Sequence, residues 1–579
     1  MEQKAKHVEE ITIEPLTRIE GHLAIHAKAD KIRRRYIDAQ SYGTMFRGFE
    51  IILKDREPAD AIWITQRICG VCPVPHGIAS VETVDMCYNA SPPPLGTALR
   101  NLTLIAEELY DSPLGCAILE GPDYSDGILK KYNTDVWKDA KNTKAEHSDI
   151  HGYKTIGDIC KALTPITGSL WLKALDISKL GRKMASLIAG KHPHVNSLVP
   201  GGIGKSISAT DIEQYYSMLS HHIAFTKEFV SAFNDIIDFM QIYFSEIGVR
   251  NANLMSFGCY EDIESYNCNY SDMNGWGIKR AITPGVIING KILTNDLIEI
   301  NLGVREFVEH SYYDGWNSIE IESDPVGNKV DKNHPWNEKT IPRPGRAKDW
   351  NGKYTWLKTP RFEYKGNVYS VEVGPLARMY LTAKSKKIPE STGKSMKFTL
   401  PRANIAGHNM IDEMEFEWRI PEKINTLERI RARAYFHAYS AYVAYNQVLE
   451  ALNAIRDGKT SVWSRYSKPR EGIGVGLNEA MRGSVAHWCI MKNGKIYRYQ
   501  VIAPTTWNAS PKDKYGNHGA YEEAIIGTPI TESDRFDGID VVRVVRSFDP
   551  CLACAVHIYD LRNKTMTPMT RKVTPNIVR

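Results

Sequence analysis

The sequence has no uninterrupted apolar run of about 18 residues, so no membrane-spanning helix is expected. Its first residues, Met1-Glu2-Gln3-Lys4-Ala5-Lys6, lead into polar sequence without the apolar stretch of a signal peptide, and no export signal of its own is expected. It also lacks any strong excess of one charge. The net +5 is small and scattered, which argues against a nucleic-acid partner. Cysteine is sparse, 10 in 579 residues, far below the density of a disulfide scaffold. Six cysteines stand singly (Cys87, Cys116, Cys160, Cys259, Cys268, Cys489), without iron–sulfur spacing, and are expected as buried free thiols. No internal repeat, low-complexity tract or clean linker divides the chain. One large domain of ordinary globular composition is expected, 42% hydrophobic and 24% charged.

The other four cysteines form two C-x-x-C pairs near opposite ends: Arg67-Ile68-Cys69-Gly70-Val71-Cys72 and Asp549-Pro550-Cys551-Leu552-Ala553-Cys554. Each pair lets two thiolates from one turn point at one ion. Four such ligands select soft or borderline metals: zinc, clustered iron, copper(I) or nickel. The bare cysteines leave a closed structural zinc open. Against it stand a separation of hundreds of residues, where zinc ribbons use ~15–20, and a chain long enough to bury a core without metal. Two independent redox dithiols would leave the charged groups nearby without a purpose.

Residues 9–29 alternate as strands around Ile11, Ile13, Leu23 and Ile25, with Glu20-Gly21 placing a carboxylate at a strand break. Pro73 and Pro75 are expected to stop the first cysteine turn, and His76 to open a helix through Asn89. Helices are expected over 95–110 and over 173–190, the latter closed by Gly190. Residues 121–160, rich in Gly, Asp and Lys, read as a surface excursion. The clearest helix spans 211–247, with Thr210-x-x-Glu213 as a capping box and Gly248 as its stop. Ile212, Leu219, Ile223, Val230, Phe233, Ile237, Met240 and Phe244 keep helical spacing along it. A second long helix, 426–457, is capped by Asn425 and ended by Gly458, and its tyrosines (Tyr435, Tyr439, Tyr442) read as core or partner contacts. Residues 260–400 suggest hairpins and long loops. From 484 the pattern turns to strands, with Asn493-Gly494 as a type I′ turn. Val541 to Val545 reads as a short strand delivering the second cysteine pair. The fold class expected is α+β: a central bundle of long helices, peripheral small sheets, and the two cysteine motifs meeting at a buried metal site.

Further patterns lie along nearly the whole chain: Arg18-Ile19-Glu20-Gly21-His22; Gly190-Lys191-His192-Pro193-His194; Val199-Pro200-Gly201-Gly202; Glu372-Val373-Gly374-Pro375-Leu376-Ala377-Arg378; Arg482-Gly483; Thr506-Trp507-Asn508; and Asp549 through His557. With the cysteine pairs, they resemble the large, catalytic subunit of nickel–iron hydrogenases of the group 1 uptake type. A related subunit of respiratory complex I lacks the four cysteines, so their presence points to hydrogen chemistry.

The resemblance implies that Cys69, Cys72, Cys551 and Cys554 bind nickel, with Cys72 and Cys554 bridging to an iron that carries carbon monoxide and cyanide. Dihydrogen would be split heterolytically, its proton received at Cys551 and passed to Glu20. Burial and like charge would raise the Glu20 pKa toward neutrality. Arg482 matches the arginine above the open site, with Asp111 and Asp549 as its carboxylate partners. Its pKa above ~12 makes it a poor base. Thr505 would offer a hydroxyl to a cyanide, and His76 a donor to a thiolate. Glu50 and His557 match ligands of a second ion, usually magnesium. The chain departs from the family at Met481, where Pro is usual, at Ser112, where His is common, and along Ser112 to Ile118.

Nothing in the sequence carries electrons away, so the resemblance implies an iron–sulfur small subunit. It further implies a maturation endopeptidase and nickel-insertion factors, and allows a membrane cytochrome b-type subunit. The complex would be membrane-associated through such partners and exported with a twin-arginine small subunit, a cytoplasmic location being the alternative. Residues 558–579 look like an extension removed after His557, leaving 1–557 as the working domain. The alternative function is a hydrogen sensor of low turnover; a zinc-holding scaffold is the third.

Overall fold

Long amphipathic segments bury their apolar stripes against one another and set the frame. The computed structural model describes residues 7–344, 348–403, 405, 411–533 and 536–552. The helices that position the centre are α1 (Pro73–Tyr88), α2 (Pro94–Pro113), α3 (Ser169–Ala189), α4 (Ala209–Phe244), α5 (Pro375–Ser385), α6 (Thr426–Arg456) and α7 (Ile539–Ser547). α2, α3, α4 and α6 pack side by side as the central bundle. The eight apolar residues singled out on α4 are all buried. On α6, Asn425 caps the helix by accepting from the Glu428 amide at 2.9 Å. Tyr435 and Tyr439 lie against Phe416 and Phe398, as core residues.

Around the bundle, the described residues form six antiparallel sheets of two or three strands. Two of them matter for the site. One is β1 (Val8–Ile13), β2 (Leu23–Asp30) and β3 (Arg35–Gly43). The other is β4 (Gly472–Ala480), β5 (Gly483–Lys492) and β6 (Lys495–Ile502). Asn493 and Gly494 both take positive φ, as a type I′ turn requires. Gly472, Gly474 and Gly476 line one face of β4. A Cβ on Gly476 would come within 1.9 Å of the Ala79 carbonyl oxygen, and one on Gly474 within 2.1 Å of the Thr83 oxygen. The backbone of α1 therefore lies directly on the strand. This contact fixes the start of α1, where Cys72 is the cap residue.

Six expectations are corrected. α1 opens at Pro73 rather than after it, because proline is suited to the first helical turn, where its missing amide is not needed. The capping box of α4 is Ser208 with Asp211, not Thr210 with Glu213: Ser208 keeps extended backbone angles, and Thr210 is already helical. Residues 121–160 are no loose excursion but a run of short helices whose Tyr124, Ile128, Leu129, Trp137 and Ile159 are buried. Val541–Val545 lies in helix α7, not a strand. Its four valines are buried, and Arg543 and Arg546 reach buried acceptors on the Asp123–Asn133 segment, so tertiary contacts override β-branched preference. The terminal sheet also begins earlier than 484, and helix α5 interrupts the loop-rich 260–400 region.

Gly476→Ala should cost about 1–3 kcal/mol by forcing α1 off β4, read as a lower denaturation midpoint and reduced metal content. Gly127→Ala, where nothing lies within 4 Å of the added carbon, should do neither.

Candidate metal centre

Three cysteine sulfurs from the two ends of the chain meet in the interior. The ligand atoms of Cys69, Cys72 and Cys551 all lie within 4.8 Å of one another, and all three residues are buried. Cys69 Sγ and Cys551 Sγ are 3.2 Å apart, well beyond the ~2.05 Å of a disulfide. Cys69 follows a 3₁₀ turn, Thr65–Ile68, and its sulfur accepts from the amides of Val71 (3.3 Å) and Cys72 (3.0 Å). Amide donors of this kind favour the thiolate, which is the metal-binding form. Cys551 arrives just after α7, past Asp549 with φ +52°, and its amide donates to Thr505 Oγ1 at 2.9 Å. Cys554 and His557 lie outside the described residues.

Glu20 is tied to the second pair through backbone and side chain. Its amide donates to the Pro550 carbonyl (3.1 Å), and its own carbonyl accepts from Leu552 (2.7 Å). Its Oε2 lies 3.2 Å from Cys551 Sγ, so the strand break at Glu20 exists to pair with Cys551.

Arg482 stands between two carboxylates. Its Nη1 donates to Asp111 Oδ2 at 3.0 Å and its Nη2 to Asp549 Oδ1 at 3.2 Å. All three are buried. Burial alone would lower the Arg482 pKa, but Asp111, Asp549 and the sulfurs of Cys551 and Cys72 outweigh it and hold the guanidinium charged. Burial pushes Asp111 up, and Arg482 pulls it back toward the carboxylate. The backbone at Arg482 is itself fixed. Arg378 on α5 donates to the carbonyls of Ala480 (2.5 Å) and Met481 (2.6 Å). Gly483, at φ +132°, lets Val373 and Gly374 approach where a side chain would stand within 2.7 Å. Asn508 bonds both backbone groups of Val373. Motifs far apart in sequence thus serve one purpose, the aim of Arg482.

Glu50 sits apart from the cysteines, 3.9 Å from Lys358, which also contacts Glu306 and Glu338. Burial raises the Glu50 pKa, and Lys358 opposes the shift. His76 bonds through Nδ1 to His487 Nε2 at 3.1 Å. Sequence reasoning missed Glu107, whose Oε2 accepts from Val74 just past the first pair and whose carboxyl burial pushes up strongly. The signal was available: Glu107 and Glu108 interrupt the apolar run Leu104-Ile105-Ala106, on a helix buried almost all round.

A nickel-dependent hydrogenase family model matches residues 47–157 and 163–557, and a HoxL-like model matches residues 10–31. The chain belongs to the nickel-dependent hydrogenase family. It is 30% identical to the uptake hydrogenase large subunit of Rhizobium leguminosarum bv. viciae, over 95% of each chain. It is 28% identical to the quinone-reactive Ni/Fe-hydrogenase large chain of Wolinella succinogenes, over 96% of this chain and 97% of that one. Among solved structures, the actinobacterial-type NiFe-hydrogenase from Ralstonia eutropha H16 superposes with a TM-score of 0.92 at 38% identity, covering 95% of this chain and all of the other.

Asp111→Ala should destabilise the protein by about 3–5 kcal/mol, because it leaves the buried Arg482 charge short of a partner. Asp111→Asn keeps an acceptor and should cost clearly less. Denaturant titration of the two variants checks the order.

Proposed function

We propose that this chain is the catalytic large subunit of an uptake-type nickel–iron hydrogenase, which cleaves dihydrogen into protons and electrons and passes the electrons to a small subunit. The observation that carries the reading is the meeting of three buried cysteine sulfurs from both chain ends beside the Glu20 carboxylate, in a chain that this family matches nearly end to end. A thiolate set of this kind fits nickel, and a site closed over an acid and an arginine serves chemistry better than a structural zinc would. No observation favours a low-turnover sensor.

In this reading Cys69, Cys72, Cys551 and Cys554 hold nickel, and Cys72 and Cys554 also hold an iron with carbon monoxide and cyanide ligands. When bound, the metal pair supplies the electrophile at which dihydrogen is polarised and cleaved heterolytically. Cys551 Sγ receives the proton and hands it to Glu20 Oε2, 3.2 Å away. Arg482, kept charged by Asp111 and Asp549, offers fixed N–H donors over the site and does not act as the base. Thr505 holds the Cys551 amide and orients that sulfur. Glu50 and His557 hold a magnesium ion, with Lys358, Glu306 and Glu338 around the Glu50 carboxylate.

Among the described residues, no helix is long and apolar enough to cross a membrane. In this reading membrane association, export with a twin-arginine small subunit and contact with a cytochrome b-type subunit come through partners. The quinone-reactive name of one relative supports a membrane electron acceptor. Residues 558–579 are assigned as an extension cut after His557 by a maturation endopeptidase once nickel-insertion factors have acted.

An infrared spectrum of the purified complex should carry metal-bound carbonyl and cyanide bands. Their absence, together with one zinc per chain, would remove the hydrogenase reading. Cys551→Ala and Cys72→Ala should each lose the metal centre, measured as nickel per chain. Glu20→Gln should keep nickel and the infrared bands but lower hydrogen–deuterium exchange by ~10²-fold or more, the scale of a lost general acid–base group. Unimpaired exchange would take Glu20 out of the proton path.

A further inference from the structure

Two histidines meet inside the central bundle, in the seam between α4 and α6. His222 on α4 and His437 on α6 have ring centroids 5.9 Å apart, with a 51° tilt between the rings. Both are fully buried. Apolar residues surround them. Leu219, Phe225 and Phe229 share the face of His222 by helical spacing, and Ile430, Ala434, Ala441 and Ala444 share that of His437. The rings of Phe225 and Phe229 pack edge-on against His437, at 6.1 and 5.7 Å. All four ring nitrogens of the two histidines are buried without a hydrogen-bond partner among the described residues.

Burial keeps both rings neutral. It lowers the pKa of His437 to about 3 and that of His222 well below its ordinary value, with His437 and His221 adding to the second shift. A neutral imidazole carries one N–H and one bare nitrogen. The pair therefore brings two donors and two acceptors into an apolar seam, where leaving them unmatched is costly. Buried polar groups in folded proteins are nearly all bonded, either to protein or to ordered water. A metal cation suits this place poorly. No third histidine, cysteine or carboxylate among the described residues completes a metal-binding group with the two rings, and a buried charge without a counter-charge is strongly disfavoured. An anion would meet a bare lone pair on each ring. Water is neutral, both donates and accepts, and is held by two to four polar partners when buried.

We propose that His222 and His437 form a binding site for one ordered water molecule, which accepts from the N–H of one ring and donates to the bare nitrogen of the other. The water stands about 2.9 Å from each of these nitrogens. It links α4 to α6 through a polar layer in an otherwise apolar stretch. A slip of either helix by one turn would set an imidazole against phenylalanine or alanine side chains, so the shared water holds the register of the two helices. This linkage is independent of the hydrogenase reading.

A crystal structure of the mature complex, at a resolution that shows ordered solvent, should place a water within about 3.2 Å of one nitrogen on each ring. A direct ring-to-ring bond, a protein group on those nitrogens, a metal ion, or no density between the rings overturns the proposal. His222→Leu and His437→Leu test the linkage in solution. Each single variant strands the remaining imidazole, whereas the double variant removes both polar groups together. The denaturant midpoint of the double variant should therefore fall by clearly less than the two single falls combined. Falls that simply add overturn the linkage. A single variant that does not fold, beside a double variant that does, is the same non-additivity at its extreme and supports it. If no variant folds, the wild-type solvent map decides.

Discussion

The pairing of the two chain ends is the constraint on which the rest depends. Glu20 bonds through its backbone to Pro550 and Leu552, the two neighbours of Cys551, although 531 positions separate it from that cysteine. These are buried amides and carbonyls, and leaving them unmade would cost far more than a solvent-exposed pair would. Neighbouring charge secures the same junction: Asp123 accepts from both Arg18 and Arg546, one from each end of the chain, and Arg546 also donates to the Thr17 carbonyl at 2.9 Å. Loop length is a minor obstacle. Closing a loop of several hundred residues costs only about 1.4 kcal/mol more than closing one of a hundred, because the penalty grows with the logarithm of length.

Around that junction the interior holds an unusual amount of charge. Arg378, Arg433, Arg482 and Arg546 are all buried, each against carboxylates or backbone carbonyls. Such groups lose hydration on folding, and their pairing offsets this rather than adding much net stability. What the arrangement secures is position. α2 illustrates it: past Pro113 the helix widens into a π-helical turn, Leu114–Glu120. Proline withholds a backbone donor there, and widened turns of this kind recur at functional sites. Gly115 on that turn lies so close to Arg433 and Asp549 that a Cβ would come within 3.0 and 3.3 Å of them. The segment that departs from the family pattern is therefore the one packed against the carboxylate partner of Arg482.

This division of labour explains what the sequence made legible. α4 and α6 could be read because burial on one face repeats every 3.6 residues over many turns. The cysteine pairs could be read because two ligands in one turn is a local pattern. α7 could not: a valine-rich segment looks like a strand until its arginines are known to have buried partners on the Asp123–Asn133 segment. The helices within 121–160 were hidden for a similar reason, since each is short and its apolar residues meet the core only in three dimensions. Arg482, Asp111 and Asp549 carry no spacing signal of their own, and they entered through resemblance alone. Glu107 left a trace, as a carboxylate breaking an apolar run, whereas His487 left none, because burial of a polar side chain is a property of the fold.

The centre is also asymmetric in depth. Between Cys69 and Cys72 the wall is one residue thick: Gly70 is exposed with nothing within 4 Å of its missing side chain, and Arg67 is exposed just before it. Cys551, in contrast, is backed by Glu20, by Thr505 and by the whole of α7. The two C-x-x-C pairs, alike in sequence, thus differ in what the fold stacks behind each: an exposed turn at Gly70 beside the first, and the Glu20 carboxylate and α7 behind Cys551 of the second.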